Sequence, residues 1–280
     1  MGARMVRDRA DHRRLNPIRA LADGLASIPL AARAAWGILA FWTLMLAAPL
    51  VVPIEGTVGV LHGLGLSLTA LVAVGALLRL GVGQDMARAR ALGLGAAGLQ
   101  VGAAELRIVW AAVLIAIFLG LIGIVLGLMT LAVFGIAELN AAAIQARDWS
   151  AVGPVWKRVA LAIFTLVIVA VPVLLLTRLS LFAAASVARR RTVSLDSMAI
   201  ATGSGWPLFG LLLVLAAGPV ILGLVILEGV VPAALAEVLI AILLPWVWAP
   251  FAAGSLCGAY RQLEYWTPDE AADKHYRDLR

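Results

Sequence analysis

Few side chains in this sequence have the types and spacing that chemistry requires. Hydrolysis needs a nucleophile beside a base, or clustered acids around a metal. Ser204, in "GSG", starts one apolar run, whereas His62 sits near the far end of another, so the two would stand at opposite membrane surfaces. His12 and His275 lie in the polar ends, too scattered to hold a metal. Cys257 is the lone cysteine and is flanked by apolar residues, which excludes an intramolecular disulfide or a cysteine cluster. Proton relays and ion-coupled pumps need partnered acids or bases within the membrane. Apart from Arg178, the apolar runs offer only His62. The expectation is a protein that is not an enzyme and has no cofactor and no metal.

Arginine, proline and tryptophan remain. Arg79, Arg88, Arg90, Arg178, Arg189, Arg190 and Arg191 border apolar runs, where they would meet anionic lipid headgroups. Arg178 lies inside the uncharged stretch from Val159 to Ala188. Counted from Val159 it sits about 28 Å down a helix, at the inner boundary of a hydrocarbon core about 30 Å thick, from which a long side chain snorkels to phosphate; the alternative, a core centred on Arg178, requires a buried partner. "LLRLG" before "ARAR" parallels "LTRLS" before "ARRR", which makes Arg79 the expected equivalent of Arg178. The second constellation is Pro172, Pro219, Pro245 and Pro250, each deep in an apolar run and each removing a backbone donor. With Trp246 and Trp248 in "LPWVWAP", they outline either a candidate cavity of the kind that broken helices line in transporters, or ordinary packed kinks.

The elements that must position these residues are membrane spans. Hydrophobic residues make up 63% of the chain and charged residues 14%, too little polar surface for a soluble domain. Six runs reach or approach the roughly 20 residues a crossing needs: 34–54, 57–78, 108–137, 159–188, 206–227 and 238–260. Residues 1–33 then form a basic arm with an amphipathic helix, and 261–280 a polar tail. Six crossings place both ends on one side. Of the Lys and Arg residues, only Arg147, Lys157 and Arg158 fall on the other side, so the ends are expected in the cytoplasm. The net charge of +6 is read as a topology signal and not as a nucleic-acid surface.

Before each outward run stands a basic cluster, a short helical segment and a tryptophan: Trp36, Trp110 or Trp206. In the first segment Asn16 is placed as N-cap and Pro17 at the first helical position, with Ile18, Leu21, Leu25 and Ile28 on one stripe. Such a helix lies in the headgroup plane. The third is expected to begin at Ser194 with Leu195, Met198 and Thr202 on one face. The fold expected is all-α: six transmembrane helices in three hairpins, each preceded by a cytoplasmic amphipathic elbow. The pairs Gly59 and Gly63, Gly123 and Gly127, and Gly254 and Gly258 have the spacing of close helix contact.

The segment from Arg178 to Gly210, "RLSLFAAASVARRRTVSLDSMAIATGSGWPLFG", resembles the membrane domain found beside the catalytic barrel of some bacterial glycerophosphodiester phosphodiesterases, and that domain's free-standing six-span relatives. The match rests on Arg178, Leu179, Ser180 and Leu181, and on Gly203, Trp206, Leu208 and Phe209. Thr202 and Pro207 stand where that family carries basic residues. The resemblance implies a membrane domain without the phosphodiesterase. Together these readings favour a non-catalytic inner-membrane protein that organises lipid, a protein partner or a second copy of itself at its cytoplasmic face; the alternative is a channel or transporter of a small solute through spans 4 to 6.

Overall fold

A computed structural model describes residues 14–52, 55–137, 142, 145–148, 154–229 and 231–265. Arg13, both terminal histidines, most of the link 138–153 and the tail from 266 lie outside the described residues, together with the expectations placed on them.

The first helix, α1 (Pro17–Ala34), starts where its sequence dictates. Asn16 is extended and its side chain accepts from the Arg19 amide at 3.1 Å, while Pro17 fills a position whose N–H would have no partner. At Ala35 the axis turns by 92° into α2 (Trp36–Ala47), which tightens into a 3₁₀ turn at Ala48–Leu50. The chain continues through α3 (Gly56–Gly83), α4 (Met86–Ala91), a 3₁₀ turn at Ala96–Gly98, α5 (Ala103–Ala137) and α6 (Val155–Leu179). After α7 (Phe182–Ala188) and α8 (Ser197–Ile200) come α9 (Gly205–Leu227), α10 (Ala233–Leu243), a π-turn at Leu244–Trp248 and α11 (Ala249–Glu264). The described residues contain no strand. Five helices are long and apolar enough to cross a membrane, or six if the bent pair α1–α2 counts as one, which makes this an all-α multi-pass membrane protein.

Several boundaries move from their expected places for local reasons. The apolar run 159–188 is interrupted at Ser180 and Leu181, just past Arg178, so its excess length is taken up by a break. The third elbow begins at Ser197 and not Ser194. The Ser194 carbonyl accepts from both the amide and the hydroxyl of Ser197, closing a turn, and Leu195 is left exposed. In the sixth span the helix widens between Pro245 and Pro250: the Ala249 amide bonds the Leu244 carbonyl, five residues back.

The chain divides into two compact units, Met1–Ala111 with Arg178–Arg280, and Ala112–Thr177. In the first, Leu39, Leu80, Leu181, Leu208, Leu211, Tyr260 and Leu263 are fully buried. Helix α1 lies along α11 through small residues. A Cβ on Gly24 would strike Phe251 and Ser255, one on Gly254 would strike Ser27, and one on Gly258 would strike Asp23. Of the expected glycine contacts, this pair on α11 forms; Gly63, Gly123 and Gly127 face open space. In the second unit Leu121, Ile124, Leu128, Ile163 and Leu166 are exposed, an exterior suited to hydrocarbon.

Candidate functional site

In the first unit the elbows, the ends of α3, α6 and α11, and the starts of α5 and α9 gather at one end of the bundle. Arg79 comes from α3, one turn before that helix ends. Its guanidinium forms a two-pronged pair with Glu105, at 2.5 Å to Oε1 and 3.0 Å to Oε2, and both side chains are only 3% exposed. Its Nε donates to the Leu92 carbonyl at 3.2 Å, and Glu105 also accepts from the Gly102 amide at 3.0 Å. Space for the carboxylate exists because position 75, one turn earlier on α3, is glycine; a Cβ there would collide with Glu105. Arg79 therefore does not face headgroups, since its charge is already matched by a carboxylate. Its expected equivalence with Arg178 fails too, because Arg178 is exposed. The partner was missed because it stands 26 residues away. The available signal was a single acid in the first turn of an otherwise apolar span, with a glycine four residues before the arginine.

Two further pairs tie elbows to the last span. Arg189 donates to Glu264 at 2.7 and 2.8 Å, with side chains 26% and 9% exposed, so Arg189 is also held inward and not given over to headgroups. Burial alone would loosen the proton on Arg189, but the Glu264 carboxylate outweighs this and holds its pKa above the ordinary arginine value. On α1, Asp23 accepts from Arg261 at 2.7 Å. Arg261 also donates to the Gly81 carbonyl and, with the amide suitably oriented, to Gln84. Gln84 adopts a left-handed backbone (φ 64°) at the end of α3, a conformation that usually favours glycine. Asp23, Ser27, Leu80, Gln84 and Arg261 line a half-open cavity of about 110 Å³. Asp23 thus turns toward the protein.

The other five arginines remain outside. Arg88, Arg90, Arg178, Arg190 and Arg191 are exposed, with only solvent-exposed ion pairs to Asp85 (3.4 Å) and Asp196 (3.6 Å) among them. Arg190 reaches across to α4 and donates to the Ala91 carbonyl at 2.6 Å. The next carbonyl, Leu92, accepts from Arg79, so the end of α4 is capped by two arginines from different elements. Trp36, Trp110 and Trp206 are each more than half exposed near the starts of α2, α5 and α9, as headgroup-level anchors require.

The proline and tryptophan constellation behaves differently from a cavity. Trp246 donates from Nε1 to Thr43 Oγ1 at 2.9 Å, and the Thr43 hydroxyl in turn donates to the Leu39 carbonyl at 3.0 Å. Trp248 packs against Gly218, where any Cβ would touch its ring, and lies 5.6 Å from the Phe251 ring. These two side chains fill space around the π-turn. Pro245 and Pro250 are buried, Pro219 faces outward, and Pro172 lies half-buried in the second unit. Ser204 is wholly buried and its hydroxyl accepts from the Leu15 amide at 3.1 Å, tying the residues just before α1 to the start of α9.

The fold and this end together define a multi-pass helical membrane protein whose elbows are cross-tied by part-buried ion pairs and whose residual charge, among the described residues, is basic. No family model, curated protein or solved structure matches the chain.

Proposed function

We propose that this is a non-catalytic protein of the bacterial cytoplasmic membrane, with both ends inside, that gathers anionic lipid headgroups, and through them a protein partner, at its elbow end. One observation carries the reading. One buried and two part-buried pairs consume Glu105, Glu264 and Asp23, so among the described residues this end keeps Asp85 and Asp196 against Arg14, Arg19, Arg33, Arg88, Arg90, Arg107, Arg178, Arg190 and Arg191. Each arginine near an anionic surface contributes about 1 kcal/mol, so a few acting together suffice to enrich such lipids around the protein. The resemblance of the segment Arg178–Gly210 to a phosphodiesterase's accessory membrane domain supports a role without catalysis.

The test is thermal unfolding of the full chain in neutral detergent. Phosphatidylglycerol is expected to raise the midpoint, with the gain fading as salt rises from about 50 to about 500 mM, because exposed charges are screened. Phosphatidylcholine is expected to do little. Equal stabilisation by both lipids would remove the proposal.

A second reading rests on the π-turn, since such turns recur at functional sites. On it, the broken sixth span conducts a small solute. Proteoliposomes containing the chain would then leak small neutral or amphipathic solutes faster than empty ones, and matched rates would reject it.

A further inference from the structure

The exposed arginines are not spread evenly, and one contact brings two groups of them together. Arg190 bonds the carbonyl of Ala91, 99 residues away in sequence, and so seats the turn Arg189–Arg191 against the end of α4. Arg88 and Arg90 on α4 and Arg190 and Arg191 on the turn thereby become neighbours, all of them exposed. We propose that α4 and this turn together form a binding site for a single lipid molecule that carries two phosphates. The inference rests on the reading of the elbow end as a headgroup surface and names the lipid class that one part of it selects.

The charge arrangement fits such a ligand. Arginine's planar fork matches phosphate oxygens, and the two elbows supply one pair of forks each. The acids nearby do not neutralise them firmly: the Arg88–Asp85 pair is 72% and 49% exposed, and the Arg191–Asp196 pair 60% and 67%. Exposed pairs of this kind hold weakly and yield to a competing anion. The backbone favours a fixed geometry, because Arg190 sits in a left-handed conformation (φ 51°) that turns its side chain onto α4. Each elbow also exposes an apolar side chain beside its arginines, Met86 before Arg88 and Leu195 after Arg191, suited to the acyl boundary just below the phosphates. A lipid with one phosphate can engage arginine from one elbow. A lipid with two engages the other elbow intramolecularly, which raises its affinity without any new kind of contact.

The full chain in detergent is titrated with diphosphatidylglycerol, or with twice the molar amount of phosphatidylglycerol, and bound lipid is counted by native mass spectrometry. Occupancy per phosphate is expected to be at least about fivefold higher for the two-phosphate lipid. The double variant R90Q/R191Q leaves the Arg190 contact in place and should unfold at an unchanged temperature, yet lose this preference. R14Q/R19Q, altered on α1, should bind less anionic lipid in total and keep the preference. Equal occupancy of the two lipids by the unaltered chain overturns the two-phosphate site while leaving the general headgroup reading intact. So does a preference that survives R90Q/R191Q, or one that R14Q/R19Q abolishes, because the selectivity would then follow total charge. Binding of neither lipid defeats the general reading itself.

Discussion

Taking away one half of a buried ion pair leaves the other half charged and dry. For Arg79 and Glu105, both 3% exposed, Glu105→Gln is therefore expected to cost about 3 to 5 kcal/mol, seen as a lower unfolding temperature in detergent. Replacing both partners by apolar residues of similar volume should recover most of that loss. If Glu105→Gln is silent, or if the double replacement is worse than the single one, the pair does not act as described. The location of Arg79 was legible in the sequence, but its surroundings were not. A basic residue near the end of a span looks the same whether its side chain snorkels to lipid or turns inward, and only the position of Glu105 in space decides. Arg178 presents the same sequence pattern and is exposed. The parallel between "LLRLG" and "LTRLS" was real as a pattern and misleading as physics.

Among the elements, α1 shows which part of a helix a sequence reveals. Its start was readable because capping is local: Asn16, Pro17 and the Arg19 amide lie within one turn. Asn16→Ala is expected to cost about 1 kcal/mol. Of its expected apolar stripe, Ile18 and Leu25 are 77% and 61% exposed, whereas Leu21 and Ile28 are half-buried and Leu21 packs against the core. The opposite face was not foreseen. Gly24 and Ser27 meet Gly254 of α11, and a stripe of small residues carries no signal until its distant mate is known. Gly258→Leu should pry α1 from α11 by striking Asp23, and the expected outcome is a much faster proteolytic cut within α1 than in the unaltered chain or in Gly127→Leu, whose site faces open space. Equal cutting rates in all three would show that α1 is held by the bilayer alone.

At the scale of the whole molecule, apolar composition made the helical membrane fold legible, and the number of crossings nearly so. The uncertain member is the first. Helix α2 with its 3₁₀ extension, 12 and 3 residues, is about 22 Å long, against about 30 Å of hydrocarbon. Its right-angle junction with α1, at Ala35, lies beside the expected boundary between the amphipathic arm 1–33 and the apolar run 34–54, which Arg33 marks in the sequence. Reporter fusions after Gly56 and after Arg90 test this crossing. With six spans the first reports outside and the second inside. Two inside reports would mean that α2 returns to the surface from which it started. Fusions after Asp148 should report outside, because α5 runs unbroken from Ala103 to Ala137.

The tie between Asp23 and Arg261 spans 238 positions of the chain, so it also sets an order of events during synthesis. At about 5 to 20 residues per second, a ribosome needs roughly 10 to 50 seconds after α1 emerges to produce the helix that α1 rests on. Throughout that interval the Asp23 carboxylate and the bare glycine face beneath it have nothing from α11 against them. The contact face of α1 therefore waits for the last described helix, and a nascent chain halted anywhere before α11 keeps that face open to whatever reaches it first.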